Sequence, residues 1–136
     1  MPSVLDAFGI TIAIRNLCHE TGENAGIIIG FECYGDLEEM HSKIKTYIFR
    51  IAQEALNNIV KHSDASEVKI SLSCKNDTVT LTIMDNGKGF DPDKVSDGGG
   101  NGLHNMRERV NLLHGSFGID SKINHGTTII VTVPVY

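Results

Sequence analysis

Residues 68–91 read VKISLSCKNDTVTLTIMDNGKGFD. Val68, Ile70 and Leu72 alternate with polar residues, and so do Val79, Leu81 and Ile83, which is the period of a half-buried strand. Asn76-Asp77 lies between the two runs, so they form a hairpin. The second run ends at Asp85 and passes into a glycine-rich stretch, Asn86 to Gly102. Six of the fourteen glycines fall between residues 85 and 102: Gly87, Gly89, Gly98, Gly99, Gly100 and Gly102. Glycine there permits positive φ and a close approach of backbone to a ligand. The next stretch, Leu103 to His114, reads as a helix ended by Gly115, and its first N–H groups could face an anion. The loop is not a Walker A sequence, and Gly87-Lys88-Gly89 lacks the third glycine of a dinucleotide fingerprint. Its spacing alone leaves two readings open, a ligand strap or a plain surface loop.

Upstream of the hairpin, Ser42 can cap a helix running from about Lys43 to His62. Ile44, Ile48, Ile51, Ala55 and Ile59 step by three or four and mark its core face. Glu54, Asn58 and Lys61 fall on one narrow stripe of the same helix. A solvated face would explain Glu54 and Lys61. Mid-helix Asn57-Asn58 has poor propensity, and an Asn one turn from a Glu also suits a hard cation. Further upstream, residues 8–21 carry Phe8, Ile12, Ile14 and Leu17 at a loose helical spacing, with Thr21-Gly22-Glu23-Asn24 as the stop. Residues 26–34 read as a strand. Downstream, Phe117 to Ile123 and Thr127 to Val133 form a second hairpin around Asn124-His125-Gly126. The order predicts an α/β (α+β) two-layer sandwich: one mixed sheet of about five strands with three helices on one face.

Composition narrows the function. The chain has 136 residues, 40% hydrophobic and 21% charged, and twelve Lys+Arg against seventeen Asp+Glu give a net charge of −5. That suits one folded domain. No Trp and 6% aromatics make a base-stacking nucleic-acid surface a poor fit, and the acidic balance disfavours direct nucleic-acid or anionic-membrane contact. An anionic ligand must then be held by backbone N–H groups, helix ends or a metal ion. Cys18, Cys33 and Cys74 are scattered and form no CxxC pair, which reads as reduced thiols of a cytoplasmic domain. The histidines form no HExxH, so a catalytic zinc has little support. The N-terminus has no basic n-region, and its apolar run is too short to span a membrane.

Four stretches in order resemble the ATP-binding catalytic domain of sensor histidine kinases, in the GHKL ATPase superfamily. They are Glu54-Ala55-Leu56-Asn57-Asn58-Ile59-Val60-Lys61-His62; Asp85-Asn86-Gly87-Lys88-Gly89-Phe90; Gly100-Asn101-Gly102-Leu103 with His104-Asn105-Met106-Arg107-Glu108-Arg109; and Gly126-Thr127-Thr128. QEALNNIVKHSDAS together with GLHNMRERV is most similar to the subfamily whose response regulators carry helix-turn-helix output domains. Pro2-Ser3-Val4-Leu5-Asp6 with Gly9 resembles the segment leading into the domain in that subfamily. The resemblance implies a Bergerat ATP-binding fold, with 1–24 as a lead-in segment and first helix and 25–136 as the catalytic domain. It implies ATP and Mg²⁺ as cofactors. Asp85 would accept a hydrogen bond from the adenine amino group, and Gly87 and Gly89 would let the backbone pass the base. Thr127 would sit at the adenine end. Asn58 would bind Mg²⁺, Lys61 would offset phosphate charge, and His62 would line the phosphate side. Gly100, Gly102 and Leu103 would cradle phosphates, and Lys88 to Asn101 would form a lid. Glu54 would be the catalytic base or polarising group.

The resemblance also implies partners: a dimerisation and histidine-phosphotransfer domain of the same kinase, and a response regulator. His19-Glu20 has a histidine followed by an acid, but it lies after the lead-in segment and lacks the surroundings of a phosphoacceptor. The acceptor is therefore expected on a dimerisation domain absent from this chain, with membrane anchoring of the parent protein left open. Two other classes stay in view: a GHKL serine kinase of the anti-sigma-factor kind, and a non-catalytic nucleotide-sensing module.

Overall fold

The computed structural model describes residues 5, 8–91 and 101–135, with the side chain of Asn101 excepted. Pro2, Ser3, Val4, Asp6, Gly98, Gly99, Gly100 and most of the expected lid lie outside them. The elements follow as α1 (Ile10–Ala25), β1 (Ile28–Tyr34), α2 (Ser42–His62), β2 (Glu67–Lys75), β3 (Thr78–Asp85), α3 (Asn101–Leu112), β4 (Ser116–Ser121) and β5 (Thr127–Pro134). The five strands form one sheet in the order β1-β2-β3-β5-β4. β1 and β2 are parallel and joined through α2, and the other pairs are antiparallel. The expected mixed sheet of five strands is therefore present, and the three helices pack on it.

Alternation builds the sheet's inner face. Val68, Ile70 and Leu72 of β2, Val79, Leu81 and Ile83 of β3, and Ile129, Val131 and Val133 of β5 are all buried. Ile44, Ile48, Ile51, Ala55 and Ile59 of α2 cover them, as the three-and-four spacing predicts. Met106 and Val110 of α3 are fully buried beside them. Each large apolar side chain removed from water in this layer contributes about 1.5–3 kcal/mol. The opposite face carries Thr78, Thr80, Thr82 and Thr132 together with the exposed apolar side chains Met84 and Ile130.

Four local expectations are corrected. α1 runs to Ala25 and does not stop at Thr21-Gly22-Glu23-Asn24. Gly22 stays helical, and its carbonyl accepts the N–H groups of both Gly26 and Ile27, so the left-handed residue that ends the helix is Gly26 (φ 69°). The buried residues of α1 are Ile10, Ala13, Ile14 and Cys18, whereas Phe8 and Ile12 are exposed, so its core face is turned from the expected one. Ser42 is not the cap of α2. His41 holds that position with an extended backbone, and its Nδ1 accepts the Lys43 N–H at 3.1 Å. At the end of α3 the positive φ belongs to His114 (58°), one residue before Gly115. Gly115 donates its N–H to Val110 O and lies so close to β5 that a Cβ would strike the Thr132 carbonyl.

α1 has a glycine at its N-cap, Gly9, and no capping side chain of its own. Glu38, in the β1–α2 connection, supplies the acceptors: Oε1 takes the Ile10 N–H at 3.2 Å and Oε2 the Thr11 N–H at 3.3 Å. Burial alone would raise the Glu38 carboxyl. The N–H groups of Thr11 and Ile10, the Thr11 side chain and the Lys45 ammonium outweigh it and hold the carboxyl below its ordinary value.

Candidate functional site

The alternation of the last three strands continues past the core. On β3 the inward positions Val79, Leu81 and Ile83 lead to Asp85, with Met84 exposed between. On β5 the series Val133, Val131, Ile129 leads to Thr127. On β4 it runs Phe117, Ile119, Ser121. The register joins the three ends into one row, because Asp85 and Ser121 both pair with Thr127. The row beneath is apolar: Ile83 and Ile119 both pair with Ile129. A period of two thus sets one polar row against an apolar floor at the end of the sheet.

Across from this row stands α2. Glu54, Asn58, Lys61 and His62 line a cavity of about 450 Å³, together with Ala55, Ile59 and Ser63 of the same helix end. Asp85, Thr127, Ile119 and Ile129 line the sheet side, Gly102 and Leu103 the first turn of α3, and Gly89 and Phe90 the strap after β3. The volume is within the ~300–1,000 Å³ of small-molecule sites. Nine of the expected site residues therefore meet at one cavity: Glu54, Asn58, Lys61, His62, Asp85, Gly89, Gly102, Leu103 and Thr127. Gly87 does not face it. It is buried behind Asp85, donates its N–H to Asp85 Oδ1 at 2.8 Å, and sits so near Ser63 that a Cβ would strike the Ser63 carbonyl. Gly100 lies outside the described residues.

The strap is held from both sides. Asn86 Oδ1 accepts the N–H groups of Ser66 and Glu67 at 2.9 and 3.0 Å, and Lys88 donates its N–H to Ser63 O at 2.7 Å. Gly89 has φ 61° and packs against the Lys122 carbonyl, so a side chain there would meet both strain and backbone. The Phe90 N–H ends on Ser121 Oγ at 2.9 Å.

Electrostatics concentrate on Asp85. Burial pushes its carboxyl above the ordinary aspartate value, opposed by hydrogen bonds from the backbone N–H groups of Gly87 and Thr127. On α2, Arg109 Nη1 of α3 stands 3.9 Å from Glu54 Oε1, with both side chains about three-quarters covered. Gly102 approaches Asn58 so closely that a Cβ would lie 2.6 Å from Nδ2 and 2.8 Å from Oδ1. Those atoms end a short side chain, which can swing away. Gly102→Ala is therefore expected to leave the melting temperature within a few degrees and to displace the Asn58 amide, weakening about tenfold the nucleotide binding that the resemblance implies; calorimetry on the folded variant checks it.

Sequence reasoning missed Ser121, Ile119 and Ile129 on the sheet side, and the Arg109–Glu54 contact. The first three were available from alternation carried to the strand ends. The last joins two helices and leaves no local signal. His19, exposed on α1, pairs with Glu23 at 3.2 Å and is not among the residues facing the cavity. Among the described residues, no group of three or more His, Cys, Asp or Glu comes together to hold a metal ion, and no helix is long and apolar enough to cross a membrane.

Known proteins resemble this chain in sequence and in fold. The chain is 39% identical over 139 residues to the signal transduction histidine-protein kinase/phosphatase DegS of Bacillus subtilis, covering 98% of this chain and 36% of the relative. It is 36% identical over 135 residues to the sensor histidine kinase MctS of Rhizobium johnstonii, covering 98% of this chain and 29% of that one. The chain thus spans about a third of the length of these relatives. The histidine kinase domain of a blue-light activated histidine kinase from Erythrobacter litoralis superposes with a TM-score of 0.73 at 18% identity, over 93% of this chain and 61% of that one, and so shares its fold. Residues 44–136, which carry α2, the strap and the polar row, match the family model described as histidine kinase-, DNA gyrase B- and HSP90-like ATPase, and the chain belongs to that family.

Proposed function

We propose that this chain is the ATP-binding catalytic domain of a sensor histidine kinase. It transfers the γ-phosphoryl group of ATP to a histidine on a dimerisation domain absent from this chain, for relay to a response regulator. The observation that carries the reading is the polar row Asp85–Thr127 set across one cavity from the Glu54–Asn58–Lys61 stripe. Relatives named as histidine kinases support it. On this reading residues 25–136 bind the nucleotide, residues 1–24 lead into them, and this domain works in the cytoplasm.

The cavity fits the nucleotide chemically. A purine is apolar on its faces and polar on its edge, matching Ile119, Ile129 and Ile59 as walls and Asp85 as an acceptor for the 6-amino group. A carboxylate rejects the carbonyl that guanine carries there. Lys61 and the N–H groups of α3 at Gly102 and Leu103 would offset the charge of the phosphates, and His62 would line that side. Asn58, which lines the cavity, would hold Mg²⁺ through its amide oxygen. The ion would supply charge neutralisation at the transferring group. By the resemblance, Gly100 would join Gly102 and Leu103 in cradling the phosphates, and Lys88 to Asn101 would form a lid.

Transfer forms a bond between phosphorus and an imidazole nitrogen of the acceptor and breaks the bond to the β–γ bridging oxygen, which leaves with ADP. The proton on the other imidazole nitrogen needs an acceptor. Glu54 faces the cavity and is assigned as that base or as the polarising group, with Arg109 orienting its carboxylate.

The test supplies radiolabelled ATP, Mg²⁺ and a dimerisation domain carrying the acceptor histidine. The expected product is an acid-labile phosphoprotein. An acid-stable label would favour a serine kinase instead, and tight nucleotide binding without transfer to any acceptor would favour a sensing module.

A further inference from the structure

Ser121 is the one buried polar side chain among the described residues. Its hydroxyl has one hydrogen and two lone pairs, and three groups surround it. The Phe90 N–H donates to Oγ at 2.9 Å, the Gly126 carbonyl accepts from Oγ at 3.2 Å, and Thr127 Oγ1 lies 2.7 Å away. The Phe90 N–H can only donate and the Gly126 carbonyl can only accept. If Ser121 gives its hydrogen to Gly126, its remaining lone pair takes the Thr127 hydrogen. All three contacts are then satisfied at once, as a buried hydroxyl requires. If Ser121 gave its hydrogen to Thr127 instead, the Gly126 contact would lose its only hydrogen.

The consequence falls on Thr127. A threonine whose hydrogen is spent on Ser121 shows only lone pairs to the cavity. Asp85, its register partner, is also an acceptor. We propose that Ser121 is a specificity-determining residue: by taking the Thr127 hydrogen it makes the Asp85–Thr127 row an acceptor-only edge that selects a purine with a 6-amino group over one with a 6-carbonyl. The inference rests on the ATP reading above and adds a residue that touches no base. Ser121 acts through Thr127, as a positioning residue, and at the same time ties the strap to β4 through Phe90.

The experiment compares ATP with inosine triphosphate, which carries a carbonyl at the 6-position and a proton on N1. The readout is the ratio of their Kd values by calorimetry, for the unaltered chain, Ser121→Ala, Thr127→Val and the double variant. Ser121→Ala frees the Thr127 hydrogen to turn toward a carbonyl. The preference for ATP is expected to fall about tenfold, the scale of one hydrogen bond. Thr127→Val should lower it similarly, and the double variant should go no further. Equal weakening of both nucleotides, with the ratio unchanged, would make Ser121 a structural strut and overturn the proposal. Should Ser121→Ala fail to fold, an unchanged ratio in Thr127→Val overturns it equally. No ATP binding by the unaltered chain would instead sink the proposed function, so the two failures are distinguishable.

Discussion

Asp85→Asn is expected to weaken ATP binding about 100-fold while leaving the nucleotide-free domain at least as stable as before. The binding loss follows from hydrogen-bond polarity. The Gly87 N–H claims the amide oxygen of the new side chain, so its NH₂ is left to face the amino group of the base, donor against donor. A hydrogen bond to a charged group contributes about 1.5–3 kcal/mol, and the opposed donors add to that loss. The stability result follows from linkage. Burial raises the folded-state value of Asp85 above its unfolded one, so between the two values the folded protein holds more protons. Stability then declines as pH rises through that window, and the ionised carboxylate is a standing cost at neutral pH. Asn removes that cost and keeps the acceptor for Gly87. ATP affinity should run the opposite way in the unaltered protein, falling as pH drops through the folded value and the acceptor is protonated. Melting curves with and without ATP across that range check both signs. A variant that binds ATP normally would remove Asp85 from the adenine edge.

Asn58→Ala should lower Mg²⁺-dependent phosphoryl transfer by about 100- to 1,000-fold, the scale seen when a preorganised group is taken from a developing charge. Nucleotide binding in the presence of a chelator should change far less, because the base contacts lie on the sheet side of the cavity. Asn58 is half-buried on the helix side, and Gly102 comes near enough to fix its amide. Calorimetry with and without Mg²⁺, beside radiolabel transfer, separates the two effects. Equal loss under both conditions would assign Asn58 to the fold and not to the ion.

The hairpin between residues 68 and 85, the core face of α2 and the order of the elements were legible because each repeats a short period with strongly apolar residues. The helix side of the site was legible for the opposite reason: Asn58 stands where propensity disfavours it. The phase of α1 was not. Phe8 and Ile12 are as apolar as Ile10 and Ile14, and only the packing of Ile10, Ala13, Ile14 and Cys18 against the rest of the core decides between the two faces. Helix ends were misplaced where the capping group was unusual. His41 caps α2 with an imidazole, His114 takes the left-handed position before a glycine, and Glu38 caps α1 from 28 residues away. Ser121 was missed because a serine in a hairpin reads as a surface residue until the register shows which face it occupies.

Because Asp85, Thr127 and Ser121 share one cross-strand row, their common orientation depends on parity. One residue added to or removed from the turn at 122–126 would carry β5 half a repeat along its neighbours. Thr128 would come round to the nucleotide side, exposed Ile130 would turn inward, and Val131 would face water. Changes in the length of that turn that preserve the site must therefore come in even steps, or be absorbed by a bulge before Thr127.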